Sequence, residues 1–589
     1  MFTRSRFRTS ALLLACVLTI PALRVQAQEV GSAPVKKQLP ADERAYKAAR
    51  SINDPAQCLA AMRAFVKEYP KSSRIGRAQD AIFTLLVENF PERTSEIDGQ
   101  LKYLVKHSGK GSGHFQTETD LAYQLAEAGT SGVELPRAEK LAKDAVNHLQ
   151  ETAFSQEMLA SYVKFKVPPP KQLEIHAQFA RTRAEAVAVL ADVYLRENKQ
   201  QQGAALVAEA YALDPMVDDV NTERGRLALL NHDDALALES FERAQLLGSM
   251  KAPDREKMMQ LYRQAHGGND ASFTADMDAR YAELYPPAFT PGKVAAVPGG
   301  HTVLLELFTG SGCPPCIGGD IAVEGVLEAY PRSEVVALAF DQHIPEPDPL
   351  TNPDSVARAE VYDIAHTPEY VIDGKVQPIY GARREGSEDL YGKIAKAVDA
   401  AAPIVTGVEL KVSAAKADGG LIHAQAVVSV PSGKELEKVL AVKAGPEAVS
   451  PGEKKPAAPA VGPVEPRLVV NFALVEDDVR YSGENGIRFH RMVVRALAKP
   501  AGMGFSVDPA ATVSLDASFD PAAISRSLVT YLEGYEQKND RFGKITFLTK
   551  DMTMQTEHLA VAAWVQDSVT HRVLQAAVIP VSAAQQGAQ

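Results

Sequence analysis

Val303-Leu304-Leu305-Glu306-Leu307-Phe308-Thr309-Gly310-Ser311-Gly312-Cys313-Pro314-Pro315-Cys316 is the stretch that decides how this 589-residue chain is read. Its first half is a short apolar run with β character, interrupted once by Glu306 and closed by the turn-forming residues Thr309 to Gly312. Beyond the cysteines, Ile317, Ile321, Val326 and Leu327 recur at helical spacing, so the pattern predicts a strand, a tight turn and a helix. Cys313 then falls at a helix N-terminus, where unpaired amides and the helix dipole stabilise a thiolate. Cys316, three residues on, is the expected resolving sulfur. A structural disulfide is the alternative reading of the pair. Zinc is disfavoured because a closed site needs four ligands and no second cysteine pair exists. A peroxidase would need a threonine where Gly310 stands.

Further along, the pattern predicts a strand from Glu334 to Phe340, a polar, proline-rich excursion from Asp341 to Pro353 and a helix around Ser355 to Tyr362. The excursion carries Asp341, His343 and Asp348, residue types able to bind a metal, but its prolines favour an ordered surface segment. Then comes Thr367-Pro368-Glu369-Tyr370-Val371-Ile372-Asp373-Gly374. A Cys-X-X-Cys after a strand, with Thr-Pro about fifty residues later leading into Tyr-Val-Ile-Asp-Gly, resembles the thioredoxin superfamily. The Cys-Pro-Pro-Cys form is similar to exported thiol-disulfide oxidoreductases. The resemblance covers about 301–400 and implies an α/β thioredoxin-like domain over 301–402. It implies Cys313 and Cys316 as the redox pair, with no cofactor beyond their disulfide and no metal. Pro368 would be the cis-proline against that pair, and Thr367 would offer its backbone to an extended substrate. Protein thiols or disulfides are the implied partners.

This stretch also departs from the family. Gly312 stands where a tryptophan is usual, and Gly318-Gly319 weakens the start of the helix. The family's acid on the first strand would fall at Leu307; Glu306, one residue away, is its candidate substitute or else an exposed or helix-facing strand residue. His366, beside the Thr-Pro pair, is a candidate to tune the Cys313 thiolate or else faces solvent.

Outward from this segment, residues 42–285 are rich in Ala, Leu, Glu and Lys and predict an all-helical region. Within it, Leu190, Ala191, Tyr194, Gly203, Val207, Ala210 and Pro215 are echoed 34 residues on by Gly225, Ala228, Ala237, Phe241 and Ala244. That period resembles tetratricopeptide repeats and implies a groove for a protein partner. Cys58, at helical spacing with Met62 and Phe65, reads as a buried, inert thiol. Residues 286–300 are dense in Pro and Gly and predict a linker. From 403 to 583 the alternating, β-branched runs predict an antiparallel β-sandwich-like domain, with a Pro/Ala-rich loop at 444–466. Its Phe489-His490-Arg491 and single Trp564 read as a polar strand end and a strand aromatic.

The first 27 residues have the three parts of an export signal: Arg4, Arg6 and Arg8, an apolar run, and Val25-Gln26-Ala27. Cleavage after Ala27 is expected, and a lipoprotein anchor at Cys16 is the less favoured alternative. Losing the four arginines of this segment takes the net charge from −11 to −15, a surface that repels nucleic acid. No later stretch is long and apolar enough to span a bilayer. The expectation is a multi-domain periplasmic or secreted protein: helical repeats, a thioredoxin-like domain, then a β-rich domain. The expected function is thiol-disulfide exchange, with a non-catalytic scaffold stapled by its Cys-Pro-Pro-Cys disulfide as the alternative.

Overall fold

The computed structural model describes residues 40–109, 111–128, 134–165, 169–248, 250–441, 468–537, 545–547 and 549–582. The export signal, Cys16 and the 444–466 loop lie outside the described residues. The chain forms two compact units, the first built mainly from residues up to Asp270 and the second mainly from Ala271 onward. Among the described residues no helix is long and apolar enough to cross a membrane.

The first unit is helical. Its period of 34 appears directly in the element bounds, because helices Gln200–Leu213 and Asp234–Leu247 begin and end 34 residues apart. Ala191, Ala210, Ala228, Ala237, Phe241 and Ala244 are all buried. A Cβ on Gly225 would stand 2.6 Å from the Phe241 ring, so this glycine is what lets the second helix pair close. Cys58 is a free, buried thiol bonded to the Ala49 carbonyl, and burial pushes its pKa up.

Among the described residues, the second unit is organised by fourteen strands. They are β1 (Val303–Thr309), β2 (Val335–Asp341), β3 (Glu369–Ile372), β4 (Lys375–Val376), β5 (Glu409–Lys416), β6 (Ile422–Ser429) and β7 (Leu468–Glu476). They continue as β8 (Val479–Arg480), β9 (Phe489–His490), β10 (Val493–Leu497), β11 (Phe505–Val507), β12 (Thr512–Phe519), β13 (Leu559–Asp567) and β14 (Val573–Pro580). One mixed sheet runs β14-β13-β7-β10-β2-β1-β3-β4, with β11 also paired to β7. β1 and β2 are parallel, β3 is antiparallel to β1, and β10 joins the far edge of β2 at Val493 and Ala339.

Helices Cys316–Ala329 and Ser387–Ala401 cover one face of β1, packing on Val303, Leu305 and Leu307. On the other face, Leu304, Phe308, Val336, Leu338 and Phe340 meet Ala359 of helix Pro353–Val361 and side chains of β7, β10 and β13.

This arrangement corrects the expected break near residue 402. The strands assigned to a separate sandwich are largely a continuation of the β1–β2 sheet. β2, β7 and β13 are buried along their whole length on both faces, the mark of central strands rather than of alternating sandwich strands. An open β2 edge would leave backbone groups unpaired, and β10 closes it. A second, three-stranded antiparallel sheet, β12-β6-β5, does keep the predicted alternation. It adjoins the large sheet where Ala415 bridges Ser582. Residues 286–300, expected as a linker, also belong to this unit: Phe289 packs against Ile317, Ile321 and Ile487, and the Val294 amide donates to the Ala329 carbonyl.

Candidate functional site

β1 delivers its C-terminal end, Thr309, to a turn held by two backbone bonds: the Cys313 amide to the Gly310 carbonyl at 3.0 Å, and the Cys316 amide to the Cys313 carbonyl at 3.1 Å. The helix begins at Cys316, so Cys313 sits one turn ahead of it rather than on it. The two cysteines are joined, with S–S 2.07 Å and Cα atoms 5.3 Å apart.

Gly318 and Gly319 follow at once, and their absence of side chains is a packing requirement. A Cβ on Gly318 would lie 2.6 Å from the Ala382 carbonyl oxygen, whose bond to the Gly318 amide ties segment 382–383 to the helix start. A Cβ on Gly319 would lie 2.4 Å from the hydroxyl of Tyr370, a side chain wholly buried on β3.

The Thr-Pro element comes to the same place. The Thr367–Pro368 peptide is cis, as is Ile344–Pro345. The Thr367 carbonyl oxygen lies 3.6 Å from Cys313 Sγ, and its hydroxyl lies 3.4 Å from that sulfur and 3.0 Å from the Ile344 carbonyl. Two other sequence candidates go elsewhere. His366 points largely to solvent and pairs with Glu369 at 2.9 Å, a bond that raises its pKa against the opposing effect of partial burial. Glu306 shares the β1 face of Leu304 and Phe308, opposite the cysteine-bearing helix, and is wholly buried. Arg358 grips it through Nε at 2.7 Å and Nη2 at 3.1 Å, and the Tyr362 hydroxyl donates to it at 2.7 Å. It is therefore a buried ion-pair partner that faces helix Pro353–Val361, as the helix-facing reading expected, on the side away from the cysteine-bearing helix.

Acids do gather around the turn: Asp341 and Asp348, noted in the sequence as residue types able to bind a metal, and Asp320, which was not singled out. Asp348 is buried and accepts from the amides of Ser311 at 2.5 Å and Leu350 at 2.8 Å. Burial pushes its pKa up to about 6 against the pull of those amides. Asp320 lies one helical turn beyond Cys316 and accepts from the Thr309 hydroxyl at 3.0 Å; burial drives its pKa up to about 8. Asp341, at the end of β2, is buried with no hydrogen-bond partner on either carboxyl oxygen. Burial, then the charges of Asp348 and Asp320, hold it well above the carboxylate range.

Leu307, Thr309, Asp320, Asp341, His490 and Arg491 line a cavity of about 20 Å³, room for about one water. His490 is buried and donates to the Tyr481 carbonyl, and burial pushes its pKa down to about 4. Three buried carboxyls with raised pKa values thus stand beside the disulfide turn. The cue available in the sequence was the four-residue step from Cys316 to Asp320. His343 is engaged at both ring nitrogens: its Nδ1 accepts from the Asp348 amide and its Nε2 meets the Tyr531 hydroxyl at 3.0 Å.

The disulfide is covered. Cys313 and Cys316 are 1% and 0% exposed. The loop between β8 and β9 lies over the turn, with the Asn485 amide donating to the Ser311 carbonyl at 2.9 Å. No protein-family model and no curated protein matches this chain.

Proposed function

We propose that this protein carries out thiol-disulfide exchange through Cys313 and Cys316 on a thioredoxin-like α/β core. The observation that carries the reading is the seating of Thr367-Pro368 against the Cys313 sulfur at the end of β1. In the reduced state the Cys313 thiolate attacks one sulfur of a substrate disulfide, forming a mixed disulfide and releasing the other substrate sulfur as a thiolate. The Cys316 thiolate then attacks Cys313 Sγ, expels the second substrate thiol and leaves the Cys313–Cys316 disulfide. Two electrons pass to the substrate, and the reverse sequence oxidises a dithiol. The Thr367 backbone is the docking edge for an extended substrate. The tetratricopeptide-like helix pairs are the partner surface, and the setting is the periplasm or cell exterior.

A second reading is favoured by burial: a disulfide 1% and 0% exposed at its two residues suits a structural staple in a scaffold protein. One experiment separates the two. A Cys316→Ser variant, offered a dithiol-reducible protein such as insulin, is expected to accumulate mixed disulfides through Cys313, detected on non-reducing gels. Absence of such adducts, with a pair that resists dithiothreitol until the chain unfolds, selects the scaffold.

A further inference from the structure

The first unit holds a cluster with no part in the redox reading. His114 and Glu118 are four residues apart on helix Ser112–Ala128 and so share a face, and His148 closes the neighbouring helix Leu135–His148. Their ligand atoms lie within 4.8 Å of one another. Glu118 is the centre: its side chain is 3% exposed, with His114 Nε2 3.3 Å from Oε1 and His148 Nδ1 2.7 Å from Oε2. A carboxylate this buried requires a positive partner. Its ion-pair partners among the described residues are these two imidazoles.

Ser108 Oγ lies 2.8 Å from both the Val105 carbonyl and His114 Nδ1, so it holds the His114 ring with Nε2 turned to Glu118. An orienting hydrogen bond on the remote ring nitrogen is what a histidine metal ligand requires.

We propose that His114, Glu118 and His148 bind a divalent transition metal of the zinc class. Two imidazoles and a carboxylate are the donors zinc takes when three protein ligands leave a position for water, and no thiolate is present to select a softer ion. A tetrahedral ion with bonds of about 2.1 Å sets its ligands about 3.4 Å apart, so the side chains shift by about an ångström to seat it. His148 is 51% exposed, which gives the ion a path in and leaves its fourth position to solvent.

The test uses the whole chain with Cys313→Ser and Cys316→Ser, so that thiols do not compete. The protein is stripped with a chelator and titrated with zinc chloride against a chromogenic competitor. One equivalent is expected to bind, with Glu118→Gln and His148→Ala each weakening it at least about tenfold. Cobalt substitution should give visible ligand-field absorption that is lost in His148→Ala. That variant alters a half-exposed helix end, and far-UV circular dichroism verifies its fold should Glu118→Gln fail to fold. No binding at one equivalent, or an affinity unchanged from the parent in both variants, overturns the proposal. Hydrogen bonds among the three side chains would then be the whole of the site.

Discussion

Replacing Arg358 by methionine should cost the second unit about 3–5 kcal/mol, the penalty for stranding one member of a buried ion pair. The magnitude follows from how completely the pair is enclosed. Arg358 and Glu306 are both 0% exposed, and the guanidinium donates to both Glu306 oxygens, to Gln566 at 3.0 Å and to the Tyr362 hydroxyl at 2.7 Å. Methionine fills the volume and leaves the Glu306 carboxylate with Tyr362 alone. Against a total stability of about 5–15 kcal/mol, the loss lowers the folding constant by two to four powers of ten. Trp564, the only tryptophan of the chain, lies 5.2 Å from the guanidinium and is wholly buried, so its fluorescence in a urea titration follows this unit selectively. The double variant Arg358→Met with Glu306→Leu removes both charges and is expected to recover most of the loss. If the double variant falls by the sum of the two singles, the pair is uncoupled and the assignment of Glu306 as a structural partner is wrong.

Asp320→Asn should flatten the pH dependence of stability. A carboxyl whose pKa rises from 3.8 to about 8 on folding keeps its proton in the native state, so its contribution is intact at acid pH and is lost as pH climbs through about 8. The asparagine variant should gain about 2–4 kcal/mol over the parent at pH 8, less than the full shift would carry because the side chain keeps some water contact. A gain that does not grow between pH 5 and pH 9 in thermal scans contradicts this. Gly318→Ala drives a methyl into the Ala382 and Arg383 carbonyls and should cost about 1–3 kcal/mol, seen as a fall of several degrees in Tm. Residues 301–402 expressed alone should not fold, because Leu338 and Phe340 lose Ala473, Val475 and Trp564. A sharp, cooperative melt of that fragment would refute the shared sheet.

What the sequence displayed was local. The strand over Val303 to Phe308, the turn at the cysteines and the helix after them depend on near neighbours, and their spacing carries them. The approach of Thr367 to Cys313 was accessible through a resemblance, since nothing local ties residues 54 apart. The shared sheet was not legible: apolar runs such as β7 and β13 state that they are buried, but not against which edge. Glu306 as a candidate beside the cysteines was misplaced for a similar reason, although its helix-facing alternative agrees with the structure. One residue of register on a strand exchanges faces, and the partner that explains it, Arg358, stands 52 residues away. Asp341 read as the beginning of a loop because its burial comes from elements remote in the chain. His114 and Glu118 do carry a four-residue spacing, yet His148 lies 30 residues from Glu118.

Asn485 reaches Gly310 across 175 residues, so the roof over the two sulfurs is made by chain that emerges long after them. During synthesis the two sulfurs stay uncovered until the β8–β9 loop has been made. Maturation therefore doubles as a change in chemical accessibility, and in the finished molecule a partner must lift a short loop to reach what the unfinished one displays.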